Sequence, residues 1–358
     1  IVPYYYYRYT ATGANSSASG CGNDTASERY MFGKFMVDSV SYWAEEYNLD
    51  GFRFDLMGLH DLYTMQNVES AVHTINPQAV IYGEGWTMGS TITNVPQANQ
   101  TNISKITPTN NAIGAIAVFN DAIRDGLKGS VFQTTSKGYI SGLSTGEVIN
   151  KVKFGISGGS LQGIGWTVKN AMVVNYMSAH DNHTLWDKLA LSNPENTDAE
   201  KAKMNRLGAT ILMISKGMPF IHAGEEMLRT KDGDENSYKS SDAINNIDWE
   251  ALVPGSEQYT TMLYYKTIIE MRKNHDIFRS TSGAVVVTFE TLANGAMAVN
   301  FKDNTSSNRA VVIINPTSQA LSYNLSGNWY DALGQNEEAV TGSTQVEAIT
   351  VSVFVNYK

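Results

Sequence analysis

Four apolar stretches of the sequence end in acidic side chains of the kind that carry out acid–base chemistry. In the first, "GFRFD", Arg53 and Asp55 share one face, because side chains of a β-strand alternate between its two faces. Glu84 ends "AVIYGE", Asp181 follows "VVNYMSAH" and Glu225 follows "MPFIHAG". Burying a charge in an apolar run is costly unless the charge is paired or put to use. A solvated surface would scatter such residues, so the pattern predicts that they meet at one end of a sheet.

Two nearby carboxylates in different environments are the minimum equipment for hydrolysing a glycosidic bond. One stays ionised and attacks the sugar carbon, and the other holds a proton that it gives to the leaving oxygen. Arg53 beside Asp55 would keep that aspartate ionised and fix its orientation. Glu84 lies between Tyr82 and Trp86, and partial desolvation there would raise its pKa, as a general acid requires.

Each of these residues also has an ordinary structural interpretation. A lone Asp after a strand is most often a cap or turn residue, and a lone Glu is most often a solvated charge. His180 could be a hydrogen-bonded core histidine, and Arg53 could be a structural ion-pair partner. Aromatic residues near the strand ends could stack on sugar rings, although for any single one a core position is favoured. Taken jointly, three carboxylates at one mouth favour the catalytic interpretation.

The elements predicted around these residues alternate between strand and helix. Apolar periodicity predicts helices over "ERYMFGKFMVDSVSYWAEEYN", "HDLYTMQNVESAVHTIN", "DAEKAKMNRLGATILMIS" and "EQYTTMLYYKTIIEMRK". Asp198 is the predicted N-cap of the third helix. Such alternation is typical of a parallel sheet covered by helices. In a (β/α)8 barrel the active site lies at the C-terminal ends of the strands, which is where the acidic residues fall.

From about residue 283 the pattern changes to short alternating strands. "AVVVTFETLANGAMAVNFKD" predicts a hairpin around Asn294 and Gly295. "RAVVIINPT", "ALSYNLSGNWYDAL" and "AITVSVFVNYK" predict further strands. The predicted organisation is residues 1–282 as the barrel portion and residues 283–358 as a C-terminal all-β domain.

Composition narrows the class of protein. With 358 residues, 42% of them hydrophobic, and a net charge of -9, the chain is predicted to be globular and not to bind nucleic acid, since binding phosphates needs a basic patch. No apolar run reaches the roughly 18 to 20 residues that span a bilayer. The single Cys21 excludes an internal disulfide.

Low charge with abundant Asn, Ser, Thr and Tyr suits a secreted or cell-surface bacterial protein, and a cytoplasmic location stays open. The sequence lacks a starting Met and a signal peptide, so we expect that residue 1 is not the natural start.

Seven motifs resemble those of a known enzyme family. "DGFRFDLMGLHD", "YGEGW" and "SAHDNHTLWDK" resemble three of the four signature regions of glycoside hydrolase family 13, the α-amylase superfamily. "VPYYYYR", "SGCGNDTASER", "GEEMLRTK" and "NSYKSSDAINNIDW" resemble its type I pullulanases in particular. The resemblance runs through almost the whole chain and weakens in the last 75 residues or so. It implies a retaining α-glucan debranching hydrolase, acting on α-1,6 bonds of pullulan, limit dextrin and amylopectin-type branches in starch degradation.

The resemblance also assigns roles to individual residues. Asp55 matches the nucleophile, Glu84 the general acid/base, and Asp181 the third carboxylate, which binds sugar hydroxyls. Strand alternation would place His180 and Asp181 on opposite faces, so we expect an irregular strand end there. The substrate-binding residues that it implies are Arg53, Trp86, His180, Asn182, Trp186, Asp187, Glu225, Arg229, Asn236 and Tyr238.

The sequence departs from the family at its beginning. The first signature region, an Asp-Val-Val-x-Asn-His stretch on the third barrel strand, is absent, and so is the "YNWGYDP" motif. The resemblance therefore implies about the last five strands of a (β/α)8 TIM barrel, followed by a β-sandwich domain. "GFRFDL" would then be an exposed apolar strand edge, which is an aggregation hazard. We expect an N-terminal segment of the same enzyme to complete the barrel.

Three questions stay open on the sequence alone. Nothing in the residues themselves distinguishes α-1,6 from α-1,4 bonds, so isoamylase or α-amylase specificity is an alternative. A glucan-binding fragment that is inactive without its N-terminal part is another. No cofactor is implied. Calcium is bound in parts of the superfamily, but no Asp-rich loop here indicates a calcium site.

Overall fold

The computed structural model of the chain describes residues 2–89, 95–110, 115–161, 172–281, 283–334 and 338–358. These residues form two compact units. The first unit comprises Ile1–Phe119 and Gly159–Val174, and the second comprises Asn120–Gly158 and Asn175–Lys358. None of the helices in the described ranges is long and apolar enough to cross a membrane.

The first unit is built on short parallel strands that alternate with helices. Its elements are helix α1 Tyr30–Tyr47, strand β1 Gly51–Phe54, helix α2 Leu62–Ile75, strands β2 Val80–Gly83 and β3 Ala117–Phe119, and the start of β4 Val173–Asn175. β1 pairs in parallel with β2, β2 with β3, and β3 with β4. The predicted alternation of strand and helix is confirmed, and β3 is a strand that the sequence pattern did not predict.

Helix α2 begins at a capping side chain, Asp61. The side chain of Asp61 accepts a hydrogen bond of 2.8 Å from the amide of Thr64, which satisfies one of the free N–H groups of the first turn. Val68 and Val72 on its inner face are fully buried in the core of the unit.

Helix α1 buries only part of its apolar residues. Met36, Val40 and Ala44 are buried, whereas Phe35 and Tyr47 are more than half exposed. Apolar residues recur at helical spacing on both sides of this helix, so one side packs on the unit and the other remains open to solvent.

The second unit contains the remaining helices and two kinds of strand. Its helices are α3 Asp121–Lys128, α4 Gly146–Ile156, α5 Leu185–Ser192, α6 Asp198–Ile214, α7 Asp242–Asn245, α8 Glu257–Asn274 and α9 Asp276–Arg279. Strand β5 is Met218–Pro219. The amide of Phe220, just after β5, donates to the carbonyl of Asn175 at 2.8 Å, so β5 lies beside the end of β4. β4 and β5 are shorter than the sequence predicts.

The start of α6 differs by one residue from its prediction. The N-cap is Thr197, not Asp198, because the Thr197 side chain accepts from the amide of Glu200 while the Glu200 side chain accepts from the amide of Thr197. This reciprocal capping box satisfies two free N–H groups, whereas Asp198 already has helical backbone geometry.

Six antiparallel strands follow in the second unit. They are β6 Val285–Thr291, β7 Met297–Asp303, β8 Arg309–Asn315, β9 Leu321–Asp331, β10 Val340–Val346 and β11 Thr350–Val355, in the sheet order β10-β9-β11-β8-β7-β6. The predicted hairpin is confirmed: Asn294 and Gly295 connect β6 to β7 with φ of 55° and 84°. Along β8, Val312 and Ile314 join the large core of the unit, and Val311 and Ile313 join a smaller one on the other face. A parallel sheet followed by an antiparallel one is the predicted order, while the domain boundary after residue 282 stays a prediction.

Candidate active site

Arg53 lies at the centre of the candidate site in the first unit. It occupies β1, and its Nη2 is 2.9 Å from Oε1 of Glu84. Its Nη1 pairs with Oδ1 of Asp55. The guanidinium also lies 5.7 Å from the ring centroid of Phe119, at the end of β3. One cation therefore holds both predicted catalytic carboxylates, and an aromatic face supports it.

The turn after β1 fixes the second oxygen of Glu84. β1 ends at Phe54, so Asp55 lies just beyond the strand, and Leu56 adopts a left-handed conformation with φ of 48°. This conformation is unfavourable for a residue with a side chain, by about 1 kcal/mol or more. It directs the Leu56 amide toward Glu84, to whose Oε2 it donates at 2.8 Å. Backbone strain at Leu56 is thus coupled to the position of a buried carboxylate.

Close backbone contact brings the two strand ends together. A Cβ atom on Gly58 would lie 2.1 Å from the carbonyl oxygen of Trp86, so only glycine fits there. The Gly58 amide donates to the carbonyl of Glu84 at 2.8 Å. As a result, a carboxylate oxygen of Asp55 and one of Glu84 lie within 4.8 Å of each other. Retaining glycosidases hold their two carboxyl groups about 5 to 5.5 Å apart.

A second group of predicted residues follows β4 in the second unit. β4 ends at Asn175, and His180 and Asp181 lie in an irregular segment beyond it, where Asn182 has a φ of 63°. The expectation of an irregular strand end is confirmed. His180 Nε2 lies 3.4 Å from Asp181 Oδ1, and about half of the His180 side chain is exposed. His180 is therefore not a core histidine.

Asp187 holds two segments of the second unit together. It is buried in the first turn of α5. One of its carboxylate oxygens accepts from the hydroxyl of Thr230 at 2.5 Å, and the other accepts from the amide of Lys231 at 2.8 Å. The sugar contact predicted for Asp187 stays a prediction, and these bonds favour a role in positioning the segment after β5.

Glu225 and Arg229 lie on that same segment. Glu225 is only 5% exposed, and its carboxylate contacts Ser178 and Tyr265 instead of solvent. Arg229 donates to the backbone carbonyls of Ala223 and Asn245. Both side chains stabilise the loop from within, which favours an indirect role over the predicted contact with sugar.

The other predicted substrate-binding residues are more accessible. Tyr238 is 74% exposed and Asn236 is exposed, whereas Trp86, Trp186 and Asn182 are half-buried. Their roles stay predictions. The structure adds residues that the sequence did not suggest, namely Leu56 and Phe119 beside the carboxylates. Phe119 lies in a three-residue strand, which is too short to show a periodic signal.

One arginine thus bridges two carboxylates at the C-terminal ends of neighbouring parallel strands, and a pair of carboxylates is what glycoside hydrolysis requires. No protein-family model matches the chain. In sequence, it is 39% identical over 289 residues to the pullulanase of Bacillus subtilis (strain 168), an alignment that covers 79% of this chain and 38% of that protein. It is 32% identical over 299 residues to pullulanase 1, chloroplastic, of Arabidopsis thaliana, with 70% and 30% covered.

Solved structures show the same similarity. The pullulanase type I from Bacillus subtilis str. 168, complexed with maltose, superimposes with a TM-score of 0.89 at 32% identity, over 99% of this chain and 50% of that one. The pullulanase from Paenibacillus barengoltzii, in complex with maltohexaose and alpha-cyclodextrin, gives 0.89 at 35%, over 99% and 55%. The chain belongs to the pullulanase family of glycoside hydrolases. It spans about half the length of these solved relatives, and less of the curated ones.

Proposed function

We propose that the chain carries the nucleophile and the general acid/base of a retaining α-glucan debranching hydrolase. The observation that carries the proposal is the bridge from Arg53 to both Asp55 and Glu84, whose carboxylate oxygens lie within 4.8 Å. Relatives that superimpose over 99% of this chain are described with maltose and maltohexaose bound, which supports a glucan as substrate. Pullulan, limit dextrin and amylopectin-type branches are the proposed substrates.

The proposed reaction has two displacement steps. Glu84 donates its proton to the glycosidic oxygen while Asp55 attacks the anomeric carbon, which breaks the α-glycosidic bond and forms a β-glycosyl ester on Asp55. Glu84, now ionised, removes a proton from water, whose oxygen attacks the same carbon and releases Asp55. The α configuration is thereby restored. Arg53 remains in contact with both carboxyl groups. Its positive charge stabilises the negative charge, which lies on Asp55 before the first step and on Glu84 after it.

Substrate preference tests the proposed specificity against its alternatives within the superfamily. In a preparation completed with the N-terminal part of a relative, we expect maltotriose to be released from pullulan and linear amylose to remain uncleaved, as quantified by chromatography of the products. Release of mixed malto-oligosaccharides from amylose at a comparable rate would instead establish an α-amylase specificity. Glucan binding without hydrolysis, even in the completed preparation, would favour a binding fragment.

The fold proposed for the complete catalytic domain is a (β/α)8 barrel of which this chain supplies about the last five strands, followed by a β-sandwich. Within the described residues, β1 has a paired neighbour, β2, on one side only. On α1, the helix before it, Phe35, Trp43 and Tyr47 are between 42% and 62% exposed. An N-terminal segment that adds strands and helices here would cover both features.

The need for this segment is tested by size-exclusion chromatography with mass measurement and a pullulan assay. We expect the chain by itself to self-associate and to leave pullulan intact, because an exposed strand edge and aromatic face favour association. Expression together with the N-terminal part of a relative is expected to restore hydrolysis. A monodisperse, active monomer of this chain would contradict the proposal.

The proposed reaction needs no cofactor, because two carboxylates and water supply every proton and bond. A calcium site is not part of the proposal. A secreted or cell-surface location stays an expectation from composition.

A further inference from the structure

Four buried polar side chains of the second unit contact one another through hydrogen bonds, and one of them, Glu225, lies on the segment after β5. They are Ser178, Asn205, Glu225 and Tyr265, and none is more than 5% exposed. The Ser178 hydroxyl donates to Oε2 of Glu225 at 2.6 Å. The Tyr265 hydroxyl oxygen lies 2.9 Å from Oδ1 of Asn205 and 3.2 Å from Oε1 of Glu225. Each member comes from a different element, so the group connects four parts of the unit.

The orientation of the Asn205 side chain follows from its second contact. Its Nδ2 lies 3.2 Å from the backbone carbonyl oxygen of Glu225, to which it donates. The reverse orientation would place the amide oxygen against that carbonyl oxygen, with no hydrogen between them. Oδ1 of Asn205 therefore faces the Tyr265 hydroxyl and must accept a hydrogen from it.

The number of available hydrogens then decides the state of Glu225. A tyrosine hydroxyl carries one hydrogen, and Asn205 uses it. With an ionised Glu225, its Oε1 and the Tyr265 oxygen would be two acceptors 3.2 Å apart with no hydrogen between them. With a proton on Oε1, Glu225 donates to Tyr265, Tyr265 donates to Asn205, and Asn205 donates back to the Glu225 carbonyl. Only the protonated carboxyl satisfies every contact, and buried polar groups are rarely left unsatisfied.

We propose that Glu225 holds a proton in the folded chain and that this proton closes the ring of hydrogen bonds, which positions the segment carrying His180 and Asp181. Ser178 is two residues before His180, and its hydroxyl is held by the other oxygen of the same carboxyl group. Loss of the proton would leave a buried negative charge whose Oε1 repels the Tyr265 oxygen 3.2 Å away. This repulsion would displace the Glu225 side chain to which Ser178 is attached, although the Ser178 hydrogen bond by itself favours the ionised carboxylate. Glu225 is thus a positioning residue. What the positioned segment does rests on the proposed function, whereas the proton does not.

The charges around Glu225 agree with this state. Among the described residues, the cation that acts on Glu225 is Lys128. The ionisable groups that face it are Lys128 from α3, Tyr265 from α8 and its neighbour Glu226, and Ser178 and Asn205 are neutral. Burial raises the pKa of Glu225 to about 7, whereas the hydrogen bond from Ser178, the charge of Lys128 and the contact with Tyr265 oppose the shift. Burial also lowers the pKa of Lys128 to about 7, so this lysine is not a permanent counter-charge.

The direction of the pH effect follows from the raised pKa. In the unfolded chain Glu225 has its ordinary pKa of 4.5, and burial raises that pKa to about 7 in the folded state. The stabilisation by the proton is therefore fully present below 4.5 and is lost as the pH rises through about 7. Above that range the folded chain must hold a buried carboxylate.

The decisive comparison is wild type against Glu225→Gln, with Glu226→Gln as a matched control one residue away. A Gln side chain resembles the protonated carboxyl, because its amide donates to Tyr265 and its oxygen accepts from Ser178. Hydrogen exchange measured by mass spectrometry over residues 176–184, corrected for the intrinsic effect of pH, reports the attachment of the segment.

We expect the wild type and Glu226→Gln to lose about tenfold in protection as the pH rises by one unit above the pKa of Glu225. The protonated fraction of a single group falls by this factor for each unit of pH. Glu225→Gln should keep its protection. Identical pH dependence in the wild type and Glu225→Gln, or a loss of protection in Glu225→Gln at acidic pH, would overturn the proposal.

Infrared spectroscopy provides a readout of the proton itself. At mildly acidic pH, below the raised pKa of Glu225, we expect the carbonyl band of a buried carboxylic acid in the wild type and in Glu226→Gln, and its absence in Glu225→Gln. Tyr265→Phe removes the acceptor of the proton, so it should shift the loss of this band to lower pH. Absence of the band in the wild type would refute the inference. These readouts need no turnover, so they stand even if the chain does not hydrolyse glucans.

Discussion

Glu84→Gln is expected to lower kcat on pullulan by about 10² to 10⁴-fold while leaving the stability of the fold nearly unchanged. Gln has the shape of Glu, and its amide oxygen still accepts a hydrogen bond from either Arg53 or the Leu56 amide, the two donors that Glu84 uses. The amide cannot give a proton to the leaving oxygen or remove one from water. The measurement is steady-state kinetics in whichever preparation hydrolyses pullulan, the chain alone or the complemented chain.

A substrate with a good leaving group separates the acid role from general damage. α-Glucosyl fluoride or a glucan fluoride needs little protonation to depart, so Glu84→Gln should slow its first step far less than it slows pullulan hydrolysis. Glu347→Gln makes the same chemical change at an exposed position of the second unit, between β10 and β11, and should leave both reactions unaffected. Near-normal hydrolysis of pullulan by Glu84→Gln, or equal losses on both substrates, would show that Glu84 is not the general acid.

The elements that the sequence predicted well are those whose signal is local. Helices α2, α6 and α8 show apolar periodicity over about four turns or more and begin at capping side chains, so each was expected within a few residues of its observed position. β3 has three residues, Ala117–Phe119, which is too few for a period to be visible. β4 and β5 stop early because the chain leaves the sheet in irregular segments, and those segments contain the polar residues of interest.

The same distinction separates the site residues that the sequence could predict from those that it could not. Asp55 and Glu84 could be predicted as neighbours because they end consecutive parallel strands, whose C-terminal ends meet at one edge of the sheet. Glu225 has an equivalent position in the sequence, yet its carboxylate is buried against Ser178, which is 47 residues away in the chain. No local pattern reports that contact. The left-handed turn at Leu56 was equally invisible, because leucine carries no signal for it.

Asp55→Ala is expected to lower kcat on pullulan at least as much as Glu84→Gln does, because the covalent intermediate cannot form. Asp55 is more than half exposed at the end of β1, and removing its side chain leaves Arg53 in contact with Glu84. The variant should therefore fold, and the loss should report the chemistry. Circular dichroism and thermal unfolding serve as the check on folding.

Azide gives this variant a stereochemical test. In the space left by the carboxylate, azide ion should attack the anomeric carbon from the side that Asp55 occupied, and an activated α-glucosyl substrate should yield a β-glucosyl azide. Glu84→Ala should not give this product, because in that variant the nucleophile remains and azide can replace only water, which leads to the α-azide. NMR of the products distinguishes the two anomers. A β-azide from Glu84→Ala, or an α-azide from Asp55→Ala, would mean that the two roles are exchanged. The reason is that azide enters on the face of the sugar where the removed carboxylate acted, so the anomeric configuration of the product reports the role of that carboxylate.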